Sequence, residues 1–150
     1  GYFVNTTAAT NPTACDIGTF QPNTGQTGCL IAIPGHYVGT NGSAVQTPCP
    51  SGTYNPLGGS ITQDDCIEAD TGHFVPNEGS SSQFECVAGT FQNITGQPSC
   101  NLADEGYYVP SAGSWVQVGC TAGTYQPNQG QISCQPASVG HYVPDHDMIL

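Results

Sequence analysis

Eight cysteines are the residues with the plainest chemistry: Cys15, Cys29, Cys49, Cys66, Cys86, Cys100, Cys120 and Cys134. They are even in number and regularly spaced, and none stands in a C-x-x-C pair. Zinc sites usually draw on close pairs of Cys or His ligands, so this spacing points to disulfides instead, which persist in oxidising compartments. The chain is therefore expected to be extracellular or at the cell surface. Two sequential pairings are open. The local one joins Cys15–Cys29, Cys49–Cys66, Cys86–Cys100 and Cys120–Cys134 and uses every thiol. The shifted one joins Cys29–Cys49, Cys66–Cys86 and Cys100–Cys120, and leaves Cys15 and Cys134 to bond between chains. The local pairing is favoured, and each closed loop of about 15 residues would contribute roughly 3 kcal/mol through the entropy of the unfolded chain.

The stretch "DDCIEAD" brings Asp64, Asp65, Glu68 and Asp70 together. Hard cations such as Ca²⁺ take several oxygen ligands at close range, which makes these four residues a calcium candidate. It has no EF-hand spacing and no counterpart in the other repeats, so a solvated acidic loop is the favoured reading, with no metal and no cofactor. His36, His73 and His141 recur at one repeated position, but Tyr2 and Tyr107 fill the same position elsewhere. That exchange reads as a half-buried packing or hydrogen-bonding position rather than a ladder of metal ligands. His146, in "DHD", takes the same reading. A catalytic nucleophile needs an adjacent base held by a third group. Here the serines lie in glycine-rich turns and the cysteines are committed to disulfides, so no enzyme is expected. Asn5 (N-T-T), Asn41 (N-G-S) and Asn93 (N-I-T) are N-glycosylation sequons, as suits a secreted glycoprotein.

Charge narrows the partners. Asp and Glu total 11 against no Lys or Arg, for a formal charge of -11. Nucleic acid and anionic lipid are excluded as partners, because no side chain is permanently positive. Ordinary salt bridges are excluded too. The charge supplies solubility and self-repulsion. No apolar run reaches the roughly 18 residues of a membrane span, and no basic, then apolar leader opens the chain.

The elements that hold these residues are short. With 37% hydrophobic residues, 20 glycines and 12 prolines in 150 residues, long helices are disfavoured and strands and turns are the default. A repeat runs throughout. Half-units begin at Gly1, Gly18, Gly35, Gly52, Gly72, Gly89, Gly106, Gly123 and Gly140. Odd ones open "GYFV", "GHYV", "GHFV", "GYYV" and "GHYV"; even ones open "GTF" or "GTY". The first eight each end on a cysteine, and the gap from that cysteine to the next glycine alternates between two and five residues. Paired half-units give blocks 1–34, 35–71, 72–105 and 106–139, with a partial repeat over 140–150. Each half-unit reads as strand–turn–strand closed by its own cysteine. The expected fold is small, all-β and disulfide-rich: an elongated tandem array of β-hairpins with little or no helix. The recurring aromatics Phe3, Phe20, Tyr37, Tyr54, Phe74, Phe91, Tyr108, Tyr125 and Tyr142 are expected to form its thin core. Trp115 is a candidate for contact between molecules.

The phrase "C-x-x-G-T-[YF]-x-P-x-x-G…C", seen over 15–29, 49–66, 86–100 and 120–134, resembles the ephrin-receptor-like cysteine-rich repeat, a relative of the tumour-necrosis-factor-receptor module. The family often adds a second cysteine pair that this chain lacks. The resemblance implies pairing of each cysteine before a Gly-x-Tyr strand with the next cysteine. It also implies an extracellular role, in receptors or in long surface proteins and hair-like appendages.

The sequence opens in mid-pattern at "GYFV" and closes on "GHYVPDHDMIL". Either the array is longer, or its ends complete each other between molecules, with Gly1, Tyr2, Phe3 and Val4 meeting Met148, Ile149 and Leu150. A head-to-tail contact that does not close into a ring makes a filament. The expected function is thus an extracellular structural protein that builds a filament, stalk or surface appendage with itself as partner. The alternative is a ligand-binding segment of a receptor or adhesin, with a protein or glycan partner.

Overall fold

The structure, a computed structural model, describes residues 1–4 and 11–143. Eight antiparallel hairpins follow one another. They pair Tyr2–Phe3 (β1) with Thr13–Ala14 (β2), Thr19–Phe20 (β3) with Leu30–Ile31 (β4), His36–Tyr37 (β5) with Thr47–Pro48 (β6), and Thr53–Tyr54 (β7) with Ile67–Glu68 (β8). They continue with His73–Phe74 (β9) and Phe84–Glu85 (β10), Thr90–Phe91 (β11) and Asn101–Leu102 (β12), Tyr107–Tyr108 (β13) and Val118–Gly119 (β14), and Thr124–Tyr125 (β15) and Gln135–Pro136 (β16). Among the described residues the only helical segment is a 3-10 turn at Gln63–Asp65. The all-β, disulfide-rich hairpin array read from the sequence is the fold.

The hairpins are alike. Their opening glycines fall 17 residues apart, except that Gly72 follows Gly52 by 20. The 3-10 turn lies within that longer hairpin. From Gly18 onward the opening glycines lie third in a tight turn: Thr19 N donates to Asp16 O at 3.0 Å across Gly18, whose φ is +77°. A type II turn requires such a φ of its third residue, which is why glycine stands there. The next residue closes the turn with its side chain. In even hairpins the hydroxyls of Thr19, Thr53, Thr90 and Thr124 donate to the carbonyls of Asp16, Pro50, Val87 and Thr121, each at 2.7 Å.

The chain forms two compact units, Gly1–Glu68 with Asn77–Gln83, and Ala69–Pro76 with Phe84–Leu150. A lone two-stranded hairpin is marginal in water, so the joints between hairpins must carry the stability. In the first unit, Gly18 N donates to Val38 O (2.8 Å), Gln21 N to Ser43 O (3.1 Å) and Gly59 N to Ala32 O (2.8 Å). In the second, Gly89 N donates to Val109 O (2.8 Å), Gln92 N to Ser114 O (3.2 Å) and Gly130 N to Ala103 O (2.8 Å). The rule is the same in both. A hairpin bonds the next one through its opening glycine and fourth residue, and its last carbonyl accepts from the turn glycine of the next but one.

Two expectations are corrected. First, the aromatic rings are not the core. Phe3, Phe20, Tyr37, Tyr54, Phe74, Phe91, Tyr108 and Tyr125 are half-buried, and Tyr142 is 84% exposed. The buried columns are small: Cys15, Ala32 and Cys49 with Gln21, Val38 and Asn55 in the first unit, and Ala69, Cys86, Ala103 and Cys120 with Val75, Gln92, Val109, Gln126 and Val143 in the second. Hairpins that meet backbone to backbone leave no room for a ring between them. Second, a cysteine does not close its own hairpin. Cys15 follows β2 and bonds Cys29, which precedes β4, so each bridge ties two successive hairpins.

Candidate assembly interface

The joint between alternate hairpins is the most specific surface of the molecule. A Cβ placed on Gly35 would collide with the carbonyl of Gly79, and one on Gly72 with that of Gly113. The same holds between Gly1 and Gly42 and between Gly89 and Gly130. Only glycine lets the backbones approach so closely. Each joint is completed by a bond from the turn glycine to a column residue, Gly42 to Cys15 O (2.7 Å), Gly79 to Cys49 O (2.8 Å) and Gly113 to Cys86 O (2.8 Å).

The N-terminal residues expected to meet a second copy pack here against their own chain. Gly1 packs on Gly42, the Tyr2 ring lies against the same glycine, and Val4 N donates to Gln26 O at 2.9 Å. Tyr2, Phe3, Val4, Pro12, Thr24 and Gly25 line a shallow cavity of about 270 Å³. Met148, Ile149 and Leu150 lie outside the described residues, as do Asn5 and His146.

Four bridges join Cys15–Cys29, Cys49–Cys66, Cys86–Cys100 and Cys120–Cys134, with Cα–Cα distances of 5.7–5.8 Å. Asn41 and Asn93 are exposed, and the Asn41 side-chain oxygen accepts from Ile17 N at 3.2 Å. The acidic stretch is dispersed in role. Asp65 accepts from Ile61 N (2.9 Å) and Thr62 N (3.0 Å) and caps the 3-10 turn. The backbone N–H groups of Thr62 and Ile61 hold its carboxyl below the usual carboxylate range. Asp64 lies in that turn and Glu68 in β8. With Asp70 they form no metal-binding group, and none occurs elsewhere among the described residues. His36 and His73 are half-buried, with their ring nitrogens at 3.4 Å from Pro34 O and 3.2 Å from Thr71 O. Trp115 is 61% exposed.

Sequence reasoning missed the buried glutamines. Gln21, Gln92 and Gln126 take the fourth position of even hairpins, where odd hairpins carry valine. Each donates its amide to the carbonyl before the second cysteine, at Gly28, Ser99 and Ser133 (2.7–2.8 Å). Each accepts from the backbone two residues on, at Asn23, Ile94 and Asn128 (3.0–3.1 Å). In the longer hairpin Asn55 substitutes, reaching Ser60 Oγ at 2.7 Å. The signal was the strict alternation of an amide with valine after the aromatic.

A second shallow cavity, of about 250 Å³, is lined by Tyr108, Gly119, Thr121, Thr124, Ser133 and Cys134. No helix of the described residues is long and apolar enough to cross a membrane. No known family and no curated protein matches this chain.

Proposed function

We propose that the chain is an extracellular, N-glycosylated structural protein that builds a filament, stalk or surface appendage by head-to-tail assembly. The observation that carries this is the repeated joint. Each hairpin meets its neighbours through backbone groups and glycines, so the same joint recurs along the series. Such a surface suits extension by like units rather than recognition of a small ligand. The resemblance to ephrin-receptor-like repeats agrees, since that family includes appendage proteins. Four bridges suit an oxidising, extracellular setting. Negative-stain electron microscopy of the purified, non-reduced protein tests this: filaments of uniform width are expected, and dispersed single copies at every concentration would sink it.

The alternative is a receptor or adhesin segment that binds a protein or glycan. The exposed Trp115 and the cavity beside Tyr108, with its Thr and Ser hydroxyls, favour it. A copy that stays single yet retains a glycan in a binding screen would establish it.

A further inference from the structure

We propose that the aliphatic patch where hairpin four (β7 and β8) seats on hairpin two (β3 and β4) docks a basic, amphipathic segment of another protein. This goes beyond the assembly reading and does not rest on it. The seat itself is closed: Gly59 N donates to Ala32 O at 2.8 Å, and the Gly59 carbonyl fills the side-chain face of Gly18. Apolar groups surround it. Ile31 Cγ2 lies 3.4 Å from where a Cβ of Gly59 would stand, Pro34 Cδ 3.9 Å from that of Gly58, and Ile61 Cγ2 3.2 Å from that of Gly18. In the chain Ile17 precedes Gly18, Ile33 joins Ala32 to Pro34, and Leu57 precedes Gly58. Ile17, Ile31, Ile33, Leu57 and Ile61 are each 41–68% exposed.

The repeat supplies its own control. Where Ile33 stands, the other even hairpins carry Asp70, Asp104 and Ser138. Where Leu57 stands, hairpins two, five and eight carry Asn23, Asn77 and Asn128. Where Ile17 stands, the later odd hairpins carry Ser51, Ala88 and Ala122. The same backbone is thus built with polar or small residues at each position, and the fold does not need these aliphatics. Exposed apolar side chains gathered beyond what the fold needs mark an interaction surface.

Charge selects the partner. Carboxylates border the patch: Asp16 precedes Ile17, and Asp65 accepts from Ile61 N at 2.9 Å with Asp64 next to it in the chain. The chain has no Lys or Arg, so a second copy seated patch to patch would set carboxylates against carboxylates, which is unfavourable. A segment with Lys or Arg flanking a few apolar side chains satisfies both features. Its ammonium or guanidinium groups meet the acidic rim while its apolar residues cover the aliphatics.

The test measures fluorescence anisotropy with three labelled peptides of equal length: one alternating Leu and Lys, one alternating Ser and Lys, and one alternating Leu and Glu. Wild type is expected to bind the Leu–Lys peptide about tenfold tighter than either of the others. Ile33→Ser combined with Leu57→Asn places residues that the repeat itself uses there, and is expected to weaken that binding about tenfold with the melting temperature unchanged. Ile94→Asn, the same change as Leu57→Asn made in hairpin six, is expected to leave binding as it is. Asp16→Asn combined with Asp64→Asn is expected to weaken it by a factor that shrinks as salt rises. Equal binding of the Leu–Lys and Ser–Lys peptides overturns the proposal, as does wild-type affinity in either double variant. Self-association of wild type that Ile33→Ser with Leu57→Asn abolishes also overturns it, because a second copy then covers the patch, and that result leaves assembly standing.

Discussion

Gly35 and Gly79 meet backbone to backbone: the face of Gly35 on which a side chain would stand is filled by the Gly79 carbonyl. Gly79 N bonds Cys49 O at 2.8 Å in the same joint, so neither hairpin can withdraw without losing a buried hydrogen bond. Gly35 has φ +84°, so a substitution suffers twice. Gly35→Ala is expected to destabilise the first unit by about 1–3 kcal/mol from backbone strain, with the collision adding to it. Gly25→Ala has the strain and no collision, since Gly25 has open space. Urea denaturation with disulfides intact should rank Gly35→Ala clearly below Gly25→Ala. Equal losses would show that the close approach contributes nothing.

The bridges tie hairpins that are already bonded to each other, so they act chiefly on the unfolded chain. Cys86 occupies the buried column position that Ala69 and Ala103 fill in neighbouring hairpins. The double change Cys86→Ala with Cys100→Ala therefore removes one bridge while leaving a side chain that the column accepts. A loss of about 3 kcal/mol is expected for a loop of this size. Loss of less than about 1 kcal/mol in chemical denaturation would mean that the backbone joints alone hold the array.

Gln126 is 1% exposed and its amide spans the turn from Asn128 N to Ser133 O. Gln126→Leu keeps the bulk and removes the side-chain bonds to Asn128 N and Ser133 O, at an expected cost of about 1–2 kcal/mol for the two hydrogen bonds lost. Val109→Leu, at the same position of the preceding hairpin, removes no hydrogen bond and is expected to cost about 1 kcal/mol through overpacking. Native-state hydrogen exchange at Asn128 should rise in the first variant and not in the second.

The strand–turn–strand repeat was legible because glycine and an aromatic mark every first strand, and two-residue strands leave little else to find. The core was not legible. Rings at nine repeated positions suggested an aromatic column, but the sequence carries no direct sign of how closely two backbones approach. That distance follows from pairs such as Gly35 and Gly79, which lie 44 residues apart and look like ordinary turn glycines. Gln21 and Gln126 were hidden for a related reason. An amide beside proline reads as solvent-facing until the turn that it spans is folded around it. The acidic stretch looked like one site because its residues are adjacent in sequence, yet the 3-10 turn directs Asp65 inward onto the backbone of Ile61 and Thr62.

That cap gives the fold an acid-sensitive element. The N–H groups of Thr62 and Ile61 lower the Asp65 pKa below its unfolded value, which lies near 3.8. A group depressed on folding contributes stability above its unfolded pKa and loses it as pH falls through the folded pKa. Asp65 is solvent-exposed, so the contribution is modest, and it is confined to the longer hairpin. Asp65→Asn should therefore melt below wild type near neutral pH. The two curves should converge as the pH falls below the unfolded value and through the lowered folded pKa, where the wild-type carboxyl protonates. The measurement is the melting temperature of both proteins across that range at fixed salt. A gap that stays constant down to low pH would show that the cap works through shape alone and not through its charge.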